Sequence, residues 1–228
     1  MRDDELTALL DDIESDRAER KESFQEERIL AERRRYRDAP ADIQPLRDVD
    51  ISELDQTLFR EIYLPAAVSP DVLAKNSRTL EEQMASLRLV DLGPPVVPTV
   101  LGLLVLGEKP SWHLPGAYVS FLRLAGEQLG SDVVSSHEIQ GPLPRMMSQI
   151  DELLKLHIMT AVDITSGDKE RRYPDYPLVA LQQIVRNTIM HRSYEGTHAP
   201  VRIYWFSDRI EVISPGGLYG HVTPENFG

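Results

Sequence analysis

The chain has 228 residues, 41% of them apolar and 27% charged, which is typical of a globular protein with one large domain or two small ones. Its 37 acidic residues outnumber its 25 basic residues, and the net charge of −12 disfavours general affinity for nucleic acids, so any DNA contact has to be local. The absence of cysteine excludes disulfides, thiolate metal sites and cysteine nucleophiles.

The sequence contains neither a predicted membrane span nor a secretory signal. Its most apolar run, residues 96–106, is short and is interrupted by Pro98 and Gly102. Residues 3–5 are acidic, whereas a secretory signal places basic residues ahead of an apolar run. We therefore expect a cytoplasmic protein that has no membrane partner.

Residues 1–38 are predicted to form an N-terminal helical segment, and a proline-bearing linker follows over 39–50. The segment is rich in charge and poor in large apolar residues, and a helix of this kind is seldom stable alone, which favours self-association. Its cluster of Arg33, Arg34 and Arg35 is the candidate for a local DNA contact. The alternative is a solvated helix face on which acidic residues pair with the arginines.

Residues 51–165 are predicted to form a helical middle domain with a small mixed sheet. Thr79 and Glu82 have the spacing of a capping box, which indicates the start of a helix. Alternating apolar residues predict a strand over 118–124, and a second strand is expected over 133–139.

Two further helices of this domain are predicted from their caps and prolines. Ser52 is expected to begin a helix that Pro65 ends. A long helix is expected to begin at Pro142, to continue with apolar positions up to Ile164, and to end near the polar loop 166–172.

Residues 166–228 have the most regular pattern in the chain. A helix is predicted from Pro177 to about His191, and a β-hairpin follows it over 201–213. Pro215-Gly216-Gly217 then ends the second strand with residues that adopt conformations barred to others.

Polar side chains recur on this last helix at four-residue spacing. Gln183, Asn187 and His191 therefore form one stripe, which can face a ligand. Gly216 and Gly217 allow backbone N–H groups to approach a ligand closely, as in phosphate-binding loops, although most such turns only reverse the chain. For Gln183 and Asn187 the alternative is a structural role as helix-capping or core hydrogen-bonding side chains.

Several enzyme classes are excluded by missing patterns. The sequence has no Gly-x-x-x-x-Gly-Lys-[Ser/Thr] phosphate loop, so a functional ATP-dependent helicase is rejected. It has no Gly-x-Ser-x-Gly nucleophile elbow, so a hydrolase triad is unsupported. The five histidines other than His191 lack metal-ligand spacing, and no metal centre built from protein side chains is indicated.

A series of blocks, in order along the chain, resembles the RecG-helicase-like ATP-binding transcriptional regulators. These proteins combine a Schlafen-type DNA-binding domain with a Bergerat (GHKL-like) ATPase fold. The resemblance covers most of the chain, and it implies an α+β fold whose last helix and hairpin belong to a Bergerat fold. The blocks are residues 14–23, 98–104, 114–118, 141–143, 176–187, 191–194, 200–203, 208–212, 215–218 and 222–226.

The resemblance also implies roles for single residues. Asn187 would help to hold Mg²⁺ on the phosphates of ATP, Gly216 and Gly217 would flank the adenine, and His191 would lie on the same stripe. Gln183 occupies the position at which active members of the wider superfamily have a glutamate that orients or deprotonates water. Because an amide cannot accept that proton, weak nucleotide binding is expected and catalysis of hydrolysis is not implied.

The chain departs from this family in both domains. Residues 21–23 resemble the opening of the DNA-binding domain, which adds Lys21 to the implied DNA contacts Arg33–Arg35. They run almost directly into residues 29–35, so most of that domain is expected to be missing. The sequence stops at Gly228, before the later glycine-rich box and lid, so residues 166–228 are predicted to be a partial ATP-binding region.

Two functions remain open from the sequence. The first is a RecG-helicase-like ATP-binding transcriptional regulator that binds ATP and Mg²⁺ weakly and acts in transcription or DNA transactions. The second is a non-catalytic structural or self-association module, a homo-oligomer in which the nucleotide site is vestigial. Binding of Mg-ATP separates the two.

Overall fold

A computed structural model of the chain describes residues 40–163, 171–194 and 197–216. The chain divides into two units, residues 1–44 and residues 45–228. The predicted DNA and nucleotide contacts that lie outside the described residues are Lys21, Arg33, Arg34, Arg35 and Gly217.

The first unit is described only at its end, where Ala41–Ile43 form a short 3₁₀ turn. The predicted helical segment over residues 1–38 therefore lies outside the described residues. Its helical character stays a prediction.

The second unit has the predicted α+β fold. Its helices are α1 (residues 56–67), α2 (Pro70–Ala74), α3 (Leu80–Ser86), α4 (Val100–Leu106), α5 (Pro110–His113), α6 (Leu143–His157) and α7 (Leu178–Met190). Its strands are β1 (Val90–Asp91), β2 (Val97–Pro98), β3 (Val119–Leu124), β4 (Val133–Ile139), β5 (Thr160–Asp163), β6 (Arg171–Pro174), β7 (Val201–Trp205) and β8 (Ile210–Ile213).

The largest sheet joins strands that are far apart in the sequence. Its order is β4-β3-β7-β8, in which β3 pairs with β7 in parallel and the two outer pairings are antiparallel. Phe121 of β3 lies opposite Ile203 of β7. The predicted domain boundary at residues 165 and 166 therefore divides this sheet, since β3 and β4 precede the boundary and β7 and β8 follow it.

One core holds this sheet against helices α6 and α7. Each helix places apolar residues at spacings of three and four, which puts them on one side of the helix. The buried members of this core are Val119, Phe121, Ile139, Met146, Ile150, Leu154, Leu181, Val185, Ile189, Val201, Ile203 and Trp205. The orientation of α7 is fixed by its buried side, so its opposite side faces solvent.

A second core lies among the shorter helices α1, α3 and α4. The predicted capping box begins α3, because Glu82 N donates to Thr79 Oγ1 over 3.2 Å and Thr79 N donates to Glu82 Oε2 over 2.8 Å. Gly102 of α4 lies against the backbone of Leu89, where an added Cβ would overlap the carbonyl oxygen. Leu143, at the start of α6, packs against both cores.

The prediction that Ser52 caps the first long helix is wrong. Asp55 caps α1 instead, since its side chain accepts a hydrogen bond from Leu58 N over 2.8 Å. Both residue types are good caps, and the backbone geometry that chooses between them is not visible in the sequence.

The prediction that Pro65 ends this helix is also wrong. Pro65 lies within α1, directly after a π-helical turn over Phe59–Tyr63 in which Leu64 N donates to Phe59 O. A proline has no N–H and its ring normally clashes with the preceding turn, and the wider π turn makes room for it.

The long helix α6 ends at His157 and does not extend to Ile164. The chain forms a hairpin beyond it, in which β5 and β6 pair antiparallel. Met159 N donates to Asp175 Oδ1 over 3.0 Å, and Asp175 N donates to Met159 O over 3.0 Å. This pair of bonds continues the hairpin up to the end of the helix.

Candidate functional site

The polar stripe lies on the solvent side of α7. Gln183, Asn187 and His191 are all exposed, whereas Leu181 and Val185 on the opposite side are buried in the core. Residues four apart stand above one another on a helix, so the three polar side chains follow one line along α7.

This placement argues against a core role for the two amides. Gln183 and Asn187 are exposed, so they are not core hydrogen-bonding side chains. The residues that cap α7 are Pro177 and His191, so the amides do not cap it either. Their polar groups are therefore accessible to a ligand.

The loop after the hairpin is hydrogen-bonded to the last turn of α7. Ser214 Oγ donates to the carbonyl oxygen of Thr188 over 3.1 Å, and Thr188 directly follows Asn187. Ser193 N donates to Pro215 O over 3.2 Å. The glycine loop therefore lies beside the carboxyl end of α7, the end at which the stripe reaches His191.

Gly216 has a backbone conformation that favours glycine, with φ of +132°. An added Cβ would stand 3.2 Å from the Cβ of Ser193, which is closer than side chains normally approach. The backbone of the loop therefore lies directly against the segment that follows His191. Gly217 is outside the described residues.

The described residues fit a nucleotide with Mg²⁺ in part. Asn187 offers an amide oxygen, and Mg²⁺ is commonly held by one or two protein oxygens together with substrate phosphates. The carboxyl end of a helix carries partial negative charge, which disfavours a phosphate near His191 unless a cation offsets it. The arrangement therefore suits a metal-bound nucleotide better than a free one.

Arg192 was given no role by the sequence analysis, and it differs from the stripe beside it. Its guanidinium is buried and lies over the ring of Tyr194, 4.1 Å from the centroid. Its Nη2 donates to Ala199 O over 2.8 Å. Burial lowers the pKa of Arg192 and raises the pKa of Tyr194. A lone arginine after a helix reads as a solvated residue, so no signal in the sequence indicates its burial.

A cluster of aromatic rings lies at the end of α6. His157 stacks on Phe121 with the ring centroids 5.2 Å apart, and Arg123 lies 5.2 Å from the centroid of Trp205. Burial lowers the pKa of His157, and the positive charges of Arg123 and His137 lower it further. Phe121 and Trp205 belong to the core, whereas His157 and Arg123 are half-buried. None of these residues lies on α7, which carries the stripe.

Two cavities in the described part of the chain are lined by residues other than Gln183, Asn187, His191 and Gly216. One is a cavity of about 10 Å³ beside Arg192. The other is an open groove of about 450 Å³ between β4 and α6. The groove is lined by His137, Glu138, Ile139, Gln149, Glu152, Leu153 and Leu156.

The fold is similar to that of the DIP2311 protein from Corynebacterium diphtheriae, whose crystal structure matches with a TM-score of 0.57 and 16% sequence identity. The match covers 83% of this chain and 36% of that one, so this chain spans little more than a third of the length of that protein. At this identity the likeness shows the fold alone. No family model matches the chain, and no curated protein matches it.

Within the three described ranges, no helix combines the length and the apolar character that crossing a bilayer requires.

Proposed function

We propose that the chain is a RecG-helicase-like ATP-binding transcriptional regulator of the cytoplasm, in which the stripe of α7 and the glycine loop bind an adenine nucleotide. One observation carries the proposal. Ser214 Oγ donates to Thr188 O in the last turn of α7, and Pro215 O accepts from Ser193 N just beyond the helix, so Gly216 lies beside the carboxyl end of α7.

Each residue of the site has a role in this proposal. Asn187 ligates Mg²⁺ that is bound to the phosphates, and Gln183 and His191 donate hydrogen bonds to the nucleotide. Gly216 and Gly217 leave backbone groups open to the adenine. Binding is weak, because an exposed stripe buries less of a ligand than an enclosed pocket does.

Binding requires Mg²⁺ in this proposal. The carboxyl end of α7 repels phosphate, and the cation offsets both charges. Titration calorimetry with ATP is expected to show binding with Mg²⁺ and a loss of at least tenfold in affinity with a chelator. Equal affinity in both conditions would remove Asn187 from its role as a metal ligand.

The decisive variant is Asn187→Ala. It is expected to abolish the binding of Mg-ATP, because it removes the metal ligand from the centre of the stripe. Gln149→Ala is the matched control, since Gln149 is also an exposed amide on a helix, on α6. The proposal fails if the wild type shows no binding at millimolar Mg-ATP, or if both variants bind as the wild type does.

Hydrolysis is not part of the proposed function. Gln183 has no carboxylate with which to accept a proton from water. We expect ADP and ATP to bind alike and phosphate release to stay at the background rate. Steady phosphate release from purified wild type that Asn187→Ala abolishes would contradict this.

The second candidate function is self-association through β4, with a second copy of the chain as the partner. Among the described strands β4 is at the edge of its sheet, and Val133 and Val134 are exposed at 59% and 57%. An edge strand presents unpaired backbone groups to another strand. The groove beside it adds Leu156, which is 73% exposed. A contact between identical edges is self-complementary and closes as a dimer.

Val134→Lys tests this candidate, because a lysine on an edge strand opposes strand pairing. Val72→Lys is the control, since Val72 lies on α2 and is equally exposed at 57%. Sedimentation velocity should find a dimer in the wild type and in Val72→Lys, and a monomer in Val134→Lys. A monomeric wild type at all concentrations would exclude self-association.

DNA is the proposed partner of the N-terminal basic cluster, with Lys21 as an additional contact. Replacing Arg33, Arg34 and Arg35 by alanine is expected to remove a mobility shift of duplex DNA at low salt, since such contacts depend on charge. An unchanged shift would discard the cluster as a DNA contact.

A further inference from the structure

Arg192 is a buried cation without a counter-ion among the described residues. Only 6% of the residue is exposed. Its Nη2 donates to Ala199 O, but its Nε and Nη1 atoms are buried and have no hydrogen-bond partner. Tyr194 attracts the guanidinium through the face of its ring and through its polar hydroxyl, but it is a neutral group and does not compensate the charge.

Such a group is expected to recruit a ligand. An arginine keeps its positive charge across the pH range where proteins fold, and burial of Arg192 disfavours that charge without removing it. Buried charges in proteins are normally paired, and a buried donor without an acceptor is costly. A negatively charged acceptor would neutralise the guanidinium and would also accept hydrogen bonds from its unpaired donors.

The space beside Arg192 limits what this acceptor can be. The cavity has a volume of about 10 Å³, close to what a single water molecule needs. Its wall is mostly apolar and includes Leu104, Val119 and Ile189. A water molecule in such a site has few polar partners and does not neutralise the charge, whereas a small anion does. Met146 also lines the cavity, and its flexible side chain can yield to an ion slightly larger than water.

We propose that this cavity binds one compact monovalent anion of the size of chloride, paired with the guanidinium of Arg192. The attraction is strong because the surroundings exclude water and lower the local dielectric constant. The ion is a structural ligand in this account, and it holds the loop after α7 in place through Arg192.

This site is independent of the proposed nucleotide site. Arg192 is buried, whereas Asn187 and His191 are exposed, and neither of these lines the cavity. If chloride does not bind, the nucleotide proposal is unaffected. If the nucleotide does not bind, the chloride proposal is unaffected.

The test uses the full-length wild-type chain. Its melting temperature is measured as chloride replaces gluconate, an anion too large for the cavity, at constant ionic strength. We expect a saturable rise of a few degrees, because a ligand that binds only the folded state stabilises it. Bromide is expected to act similarly and iodide less. A melting temperature that does not depend on the anion would overturn the proposal.

Two variants locate the effect. Arg192→Met keeps the length of the side chain and removes the charge, so the dependence on chloride should vanish. Arg60→Met, at an exposed arginine of α1, should keep it. If Arg192→Met does not fold, a bromide-soaked crystal of the wild type decides the question. An anomalous peak beside Arg192 supports the proposal, and a water or no density there contradicts it.

Discussion

The outward stripe of α7 and the inward Arg192 that follows it are both polar, but their surroundings are opposite. Gln183 and Asn187 are exposed and hydrate freely, so leaving them without a protein partner costs little stability. Arg192 is buried, and leaving its donors unpaired is costly. Exposed polar groups are therefore open to a transient ligand, whereas a buried polar group needs a permanently bound partner.

The largest expected change in stability comes from the buried side of α7, and the exposed side of the same helix provides the comparison. Leu181→Ala should lower the free energy of unfolding by about 2–5 kcal/mol, because it leaves a cavity in the core. Gln183→Ala, on the exposed side, should change it by less than about 0.5 kcal/mol. Urea denaturation followed by circular dichroism measures both. Similar losses in the two variants would show that the stripe is part of the packing.

The next effect concerns the space that Arg192 occupies. Gly116 has φ of +82°, and a Cβ there would crowd Arg192 Nη2 and stand 2.6 Å from His198 O. Gly116→Ala should therefore cost about 1–3 kcal/mol of stability through backbone strain. Gly130→Ala is the control, since a Cβ at Gly130 meets nothing within 4 Å. Equal stability of the two variants in urea would show that the contact with Arg192 is loose.

The smallest expected effect is a pH dependence from His157. Burial holds its pKa in the folded protein below the ordinary value of 6.5, so the unfolded chain binds more protons between the two pKa values. This residue's contribution to stability is therefore complete above pH 6.5 and is lost as the pH falls toward the folded pKa.

His157→Phe should flatten that slope, because the phenyl ring keeps the stacking on Phe121 and does not titrate. His198→Gln, at an exposed position, should keep the slope of the wild type. Thermal denaturation between pH 5.5 and 7.5, on the order of one unit on either side of an ordinary histidine pKa, checks both variants. A slope that survives in His157→Phe would assign the titration to another group.

The parts of the fold that sequence predicts well are those set by local chemistry. The capping box at Thr79 and Glu82 uses two residues three positions apart, and it forms as predicted. The strand predicted over 118–124, which forms over Val119–Leu124, and the exposed line of Gln183, Asn187 and His191 follow from periodicity. Each of these depends on side-chain direction within one element.

The parts that sequence does not predict depend on distant partners. The parallel pairing of β3 with β7 joins strands separated by two helices, and no local pattern indicates it. The end of α6 at His157 depends on the hydrogen bonds between Met159 and Asp175. Arg192 is buried because the loop at Gly116 lies against it, which its neighbours in the sequence do not show.

Nuclear magnetic resonance of the labelled chain during a titration with Mg-ATP would detect nucleotide binding at individual residues of α7 and the glycine loop. The side-chain amide signals of Asn187 and Gln183 and the backbone signal of Gly216 should shift together and saturate, while the side-chain signal of Gln149 stays in place. Saturable shifts confined to other residues, or none at millimolar nucleotide, would contradict a nucleotide site on α7.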